Sequence, residues 1–151
     1  MYYQDLTPYE YDLPRPLQGV MNVGWLDAVH PFSTGDVSRE HRSLLRRACR
    51  TALANQMRGA HGCELCATDG DVHLDEGGIV LGSAEIWLLD SAGTIYAAPN
   101  LIVHYVESHH YMPPAQFLAA LEWSDRLGAD WNAQSTAHKL VELAWREHGE
   151  T

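Results

Sequence analysis

The chain of 151 residues carries 20 acidic and 10 basic side chains, which gives a formal net charge of −10. This excess of acid argues against nucleic acid as the partner, because phosphate binding needs concentrated Lys and Arg. The length fits a single domain over residues 1–151, and no apolar run reaches the roughly 18 residues of a membrane span. Since the N-terminus has no secretory signal, we expect a cytoplasmic protein without membrane association.

The first predicted elements are an arm, a strand and a helix. Residues 1–16 are rich in Tyr, Pro and acid and are interpreted as an irregular arm whose rings pack onto the body. A strand is predicted within residues 17–26. A helix is predicted over residues 38–58, because Ser38 suits an N-cap and Gly59 suits the position just after a helix.

The second half of the chain is predicted to form a hairpin followed by helices. Alternation of side chains predicts a strand over residues 79–89, and a turn then leads to a return strand at 94–97. Three further helices are predicted over residues 99–112, 114–128 and 135–148. Residues 122–151 are interpreted as a C-terminal helical extension. This order predicts an α+β fold with a small antiparallel sheet and about four helices.

The charge is unevenly distributed along the chain. Six of the ten basic residues lie between residues 39 and 58, and the remainder carries 19 acids and only 4 bases. The arginines form either a solvated helix face or a row that neutralises acidic loops of the same domain. The acidic remainder predicts a basic protein partner, such as a toxin. The predicted partner-binding residues form one acidic loop: Asp69, Asp71, Asp75 and Glu76.

The residues best suited to metal binding or redox chemistry form the pattern His61-x-Cys63-x-x-Cys66. Two thiols separated by two residues can point into one turn, which suits tetrahedral zinc. Two alternatives are a pair of inert thiols and a redox pair, but a redox pair favours a preceding strand and a helix that begins at the cysteines. Cys49 lies on the apolar stripe of the first helix and is interpreted as a buried thiol.

A zinc site needs a second pair of ligands. His104 and His109 provide one, although residues five apart lie about 140° apart around an ideal helix, so the helix must end or distort before His109. The rival ligand set is His61, Cys63, Cys66 and His104, and the choice stays open. In either case we predict a structural Zn²⁺ ion in a treble-clef-like zinc knuckle, where a cysteine turn, a hairpin and a helix share one ion.

Two functions of different classes follow from this pattern. The first is a non-enzymatic, zinc-stabilised binding protein, of the immunity or adaptor type, for a basic partner. The alternative is a zinc-dependent hydrolase with Glu85 as general base, which requires an open coordination position on the metal. The sequence carries no nucleophile elbow, phosphate-binding loop or dinucleotide glycine pattern.

Several motifs together resemble an uncharacterised family of small bacterial proteins, a domain of unknown function. They are His61-x-Cys63-x-x-Cys66, Gly82-Ser-Ala-Glu-Ile86 and Tyr96-Ala-Ala-Pro-x-Leu-Ile-x-His-Tyr105, with further matches from residue 2 to about 121. The resemblance implies kinship and no particular activity. It also extends to small acidic proteins of bacterial toxin–immunity systems, which implies a protein partner.

Overall fold

The computed structural model of the chain describes residues 1–67, 70–75 and 78–149. Six strands lie in the described residues: β1 (Val20–Asn22), β2 (Leu53–Ala54), β3 (Val72–His73), β4 (Val80–Leu81), β5 (Glu85–Leu89) and β6 (Ile95–Pro99). Four α-helices accompany them: α1 (Arg39–Thr51), α2 (Ile102–His109), α3 (Ala115–Leu127) and α4 (Ala133–Gly149). The predicted α+β class with four helices is therefore confirmed.

The main sheet is mixed, so the prediction of an antiparallel sheet was wrong. Its strand order is β1-β6-β5-β2, and β3 and β4 form a separate two-stranded sheet. The β5–β6 hairpin and the β2–β5 pair are antiparallel as expected, but β1 runs parallel to β6 with Val20 opposite Ile95. Parallel pairing joins strands through a long crossover. Here α1 and the strands β2 to β5 lie in that crossover, so no local pattern indicated the direction of β1.

The first helix ends earlier than its sequence indicated. Ser38 caps α1 as predicted, its hydroxyl accepting the His41 N–H at 3.1 Å, but the helix stops at Thr51 instead of Arg58. Ala52 follows as the C-cap, and Leu53 and Ala54 then form β2, which pairs with β5 at the edge of the main sheet. Hydrogen bonding to the sheet and burial of Ala54 therefore override the helical propensity of this segment.

The predicted strand over 79–89 is interrupted. Gly82 has φ of +88° and separates β4 from β5. A Cβ atom at this position would lie 2.1 Å from the carbonyl oxygen of His61, so only glycine fits without a shift of the backbone. This close approach brings the segment that precedes the two cysteines against the main sheet.

Helices α3 and α4 agree with their predicted boundaries to within two residues, whereas α2 is shorter than the predicted 99–112 because Pro99 belongs to β6. Pro114 precedes α3 and Gly128 ends it, in line with the propensities of both residues. Helix α4 packs against β2 and β5 through its buried alanines. Among the described residues, every helix is too short or too polar to cross a membrane.

The N-terminal arm folds back along β1. Backbone N–H groups of Leu6 and Tyr9 donate to the carbonyls of Asn22 and Val20, at 2.7 and 2.9 Å. Tyr9 is 2 % exposed, and its ring contacts that of Trp87 on β5 with centroids 5.3 Å apart. The arm therefore contributes side chains to the core.

Candidate metal centre

The turn that holds the two cysteines, here named the cysteine knuckle (residues 63–66), is anchored through the residues that precede it. The His61 N–H donates to the Gly82 carbonyl at 3.0 Å, and the Gly82 N–H donates to Asn100 Oδ1 at 2.5 Å. Within the turn, the Cys66 N–H donates to the Cys63 carbonyl at 3.4 Å. Because Asn100 lies just before α2, these bonds link the knuckle to the helix that carries the two histidines.

The end of α2 explains how His104 and His109 reach one point. His109 is the last helical residue, and His110 follows in the left-handed conformation with φ of 55°. The N–H groups of His110 and Tyr111 both donate to the carbonyl of Tyr105, which lies five and six residues earlier. Such bonds are wider than the i→i−4 bond of an α-helix. The wider last turn reduces the angle around the helix axis between His104 and His109, so that both side chains can point to one centre.

Four potential ligand atoms converge between the knuckle and the end of α2. The sulfur atoms of Cys63 and Cys66 and the ring nitrogens of His104 and His109 all lie within 4.8 Å of one another. His104 Nε2 is 3.1 Å from Cys66 Sγ and 3.2 Å from His109 Nε2. His109 Nε2 is 3.5 Å from each sulfur. The described residues contain this one group of three or more close-set ligand side chains.

These separations are close to those of a tetrahedral zinc site. With Zn–S near 2.3 Å and Zn–N near 2.05 Å, tetrahedral angles place sulfur and nitrogen about 3.5 Å apart and two nitrogens about 3.3 Å apart. Hydrogen bonds between thiols and imidazoles also fall in this range. The four side chains can therefore hold a metal ion at a shared centre.

Burial acts on the two histidines in the direction that metal binding requires and on Cys63 in the opposite direction. It raises the pKa of the Cys63 thiol, and it lowers the pKa of both His104 and His109 below that of free histidine. Neutral imidazole is the form that binds metal, so the histidines are already in the required state at neutral pH. A divalent cation would favour the thiolate form of Cys63 and offset the effect of burial on it.

Ion pairs of Arg46 on α1 connect the elements around the centre. Arg46 Nε donates to Glu107 on α2 at 2.7 Å, and its Nη1 donates to Asp75 at 2.7 Å. Arg50 also contacts Asp75, at 3.3 Å. Of the two alternatives for this arginine row, neutralisation of an acidic loop of the same domain therefore applies to Arg46 and Arg50. It ties the loop after the knuckle to the helix that carries both histidines.

Not all predicted metal ligands lie in the cluster. Cys63, Cys66, His104 and His109 come together, whereas the exposed His61 is outside the group formed by the described residues. Glu85, the predicted general base, is 5 % exposed. It accepts hydrogen bonds from Tyr9, Asn55 and Trp87 at 2.8–3.1 Å.

The predicted partner-binding loop is only partly described. Asp69 and Glu76 lie outside the described residues. Asp71 is exposed, and Asp75 pairs with Arg46 and Arg50 while half of its side chain stays accessible. Asp75 therefore has a role within the fold that its sequence context did not identify.

Sequence reasoning missed two residues that position the centre. Asn100 is fully buried and orients Gly82, and an Asn directly after a strand-ending Pro was its one visible signal. Tyr111 is also fully buried, and its hydroxyl donates to Asp5 Oδ2 at 2.7 Å, which fixes the end of α2 against the arm. No sequence pattern distinguishes this tyrosine from an ordinary core aromatic.

Comparison with known proteins places the chain in a family. Residues 1–122 match the family described as Domain of unknown function (DUF7919), and the chain belongs to it. The matched segment contains the whole four-residue cluster and ends inside α3. No curated protein and no solved structure matches the chain.

Proposed function

We propose that this member of the DUF7919 family is a non-enzymatic binding protein stabilised by a structural zinc ion. Cys63, Cys66, His104 and His109 are the proposed ligands. The partner is proposed to be a basic protein, and the chain to act as an immunity-type or adaptor protein.

The observation that carries the zinc proposal is the convergence of four ligand atoms within 4.8 Å. Two sulfur and two imidazole donors form a set that zinc prefers, and such sets are typical of structural sites. Hydrogen bonding alone gives a weaker account, because it does not require four side chains from two separate elements to point at one centre. The order of knuckle, hairpin and helix supports the treble-clef-like interpretation.

A complete set of four ligands also favours a structural over a catalytic role. Catalytic zinc keeps one position for water, and four protein donors leave none. Glu85 is held by three hydrogen-bond donors, an arrangement that equally well stabilises a buried carboxylate. The hydrolase alternative therefore remains a prediction that the site geometry does not favour.

The charge distribution supports a basic partner. The most basic segment of the chain is α1, and three of its arginines are already paired with acids of the same fold: Arg46, Arg47 and Arg50. Arg39 and Arg42 of the same helix are exposed and lie in no ion pair among the described residues, so these two arginines alone offset the formal charge of −10 on this helix. Complementary charge would accelerate encounter with a cationic protein and make association weaken as salt rises.

Elemental analysis tests the zinc proposal directly. Protein purified without a polyhistidine tag should contain about one zinc per chain, and Cys66→Ser should reduce the content severalfold. Cys49→Ser is the matched control, because Cys49 is a fully buried thiol outside the cluster. Wild-type metal content well below half an equivalent, with both knuckle thiols open to titration, would reject the site.

Affinity capture from the native host tests the partner proposal. We expect a basic protein whose dissociation constant rises at least tenfold between 50 and 300 mM salt. Absence of any partner, together with a metal-dependent hydrolysis that Glu85→Gln abolishes, would replace the binding function with the enzymatic one.

A further inference from the structure

A cavity of about 330 Å³ opens beside the cysteine knuckle. Its volume lies in the range of small-molecule sites, and it has room for roughly ten water-sized groups. Side chains from the arm, the knuckle, β5 and α2 contribute to its wall. Its chemistry is set by six of them: Tyr11, Trp25, His61, Glu64, Glu85 and Tyr105.

The wall combines aromatic rings with negative charge. Three aromatic side chains line the cavity, and carboxylates stand at two positions, the buried Glu85 and the exposed Glu64. No Lys or Arg is among the lining residues that the structure describes, but the Met1 amine lines the cavity and lies 3.5 Å from Glu64 Oε2. Glu85 is therefore the lining carboxylate without a cationic partner among the described residues. Aromatic faces and carboxylates both attract cations, and a planar guanidinium can use the two together.

Glu85 has unused capacity to accept a hydrogen bond. Its Oε1 accepts from Tyr9, Asn55 and Trp87, whereas Oε2 is 3.0 Å from the same Tyr9 hydroxyl alone. That hydroxyl has a single proton, so one oxygen of the carboxylate remains under-satisfied. Burial raises the pKa of Glu85, and the hydrogen bonds from Trp87, Asn55 and Tyr9 act in the opposite direction.

We propose that this cavity binds a side-chain-sized organic cation, with a guanidinium group paired to Glu85 and placed among the rings of Tyr11, Trp25 and Tyr105. The guanidinium can belong to a free small molecule or to an arginine of a protein. This site goes beyond the proposed function, since it requires no particular protein partner and assigns the cavity a ligand class of its own.

Isothermal titration calorimetry on the purified full chain provides the test. The probes are arginine methyl ester and citrulline methyl ester, which differ by replacement of the guanidinium with a neutral urea. We expect saturable binding of the arginine compound and at least tenfold weaker binding of the citrulline compound. A blocked Gly-Arg-Gly tripeptide identifies the source: tighter binding than the ester indicates a protein side chain, and failure to bind indicates a free small molecule.

Variants locate the binding to the cavity. Glu85→Gln keeps the size of the side chain and should weaken arginine ester binding at least tenfold. Glu64→Gln at the exposed rim, a second variant without risk to the core, should also weaken binding, but less than Glu85→Gln. Glu40→Gln on α1 removes the same charge outside the cavity and should change the affinity less than twofold. Equal binding of both esters, no binding to the wild type, or equal weakening by all three variants would overturn the proposal. Zinc content is measured on the same samples, so that a loss of arginine ester binding can be distinguished from a loss of zinc.

Discussion

Replacement of Cys66 by serine should remove one proposed zinc ligand and weaken the link between the knuckle and α2. Cys66 and His104 are 38 residues apart in the chain. A cross-link that closes a loop of this length stabilises a folded chain by about 4 kcal/mol on the chain-entropy relation for disulfides. A domain of this size loses about 2–4 °C per kcal/mol, so the melting temperature should fall by about 8–16 °C. The loss is smaller than the roughly 10–16 kcal/mol of isolated zinc fingers, because this domain keeps its own core.

Differential scanning calorimetry with and without a chelator separates this effect from a packing defect. Chelation should lower the melting temperature of the wild type and of Cys49→Ser by a similar amount, and it should leave Cys66→Ser unchanged. Cys49→Ser has its own cost, since its thiol is fully buried and burial raises its pKa to about 12, but that cost should not depend on metal. A wild-type melting temperature that is insensitive to the chelator would refute the reasoning.

Three further predictions concern the surroundings of the centre. Gly82→Ala should lower the free energy of unfolding, measured in urea, by at least about 2 kcal/mol. The reason is that φ is positive at this position and an added Cβ would lie 2.1 Å from the His61 carbonyl oxygen. A loss below about 0.5 kcal/mol would contradict this. Arg46→Ala should reduce global stability by less than about 2 kcal/mol yet speed hydrogen exchange of the loop after the knuckle, whereas Arg47→Ala should leave that loop unchanged. Tyr9→Phe removes a hydroxyl that favours ionised Glu85, so it should raise the pKa of this carboxyl further. Because the folded pKa of Glu85 already exceeds the unfolded value, the contribution of this group to stability falls as pH rises above about 4.5. The cost of Tyr9→Phe, about 1–3 kcal/mol, should therefore be larger at pH 8 than at pH 4.

The fold was predictable where short-range chemistry decides it. The boundaries of α3 follow from Pro114 and Gly128, and the β5–β6 hairpin follows from alternation and its turn. Prediction failed where distant segments compete for the same backbone. Leu53 and Ala54 belong to a helical pattern but gain more from pairing with β5, and the parallel direction of β1 depends on a strand far along the chain.

The candidate centre was predictable in its residue types and not in its final composition. The spacing of Cys63 and Cys66 indicated one half of the site, and the spacing of His104 and His109 indicated the other. The choice between His61 and His109 depends on the left-handed conformation of His110, which has no clear signal in a histidine. The hydrogen bonds around Glu85 could not be predicted from the sequence, because Tyr9 and Asn55 reach it from separate parts of the chain.

The parallel pairing of β1 with β6 has a consequence for biosynthesis. Val20 leaves the ribosome well before Ile95, its partner in the sheet. At about 5–20 residues per second, some 4–15 s separate the synthesis of the two strands. During that interval the arm and β1 have no sheet edge to join, and their apolar side chains face solvent or other chains. Non-local pairing of this kind slows folding, so the nascent N-terminal segment is the part of the chain most exposed to aggregation and to chaperone binding.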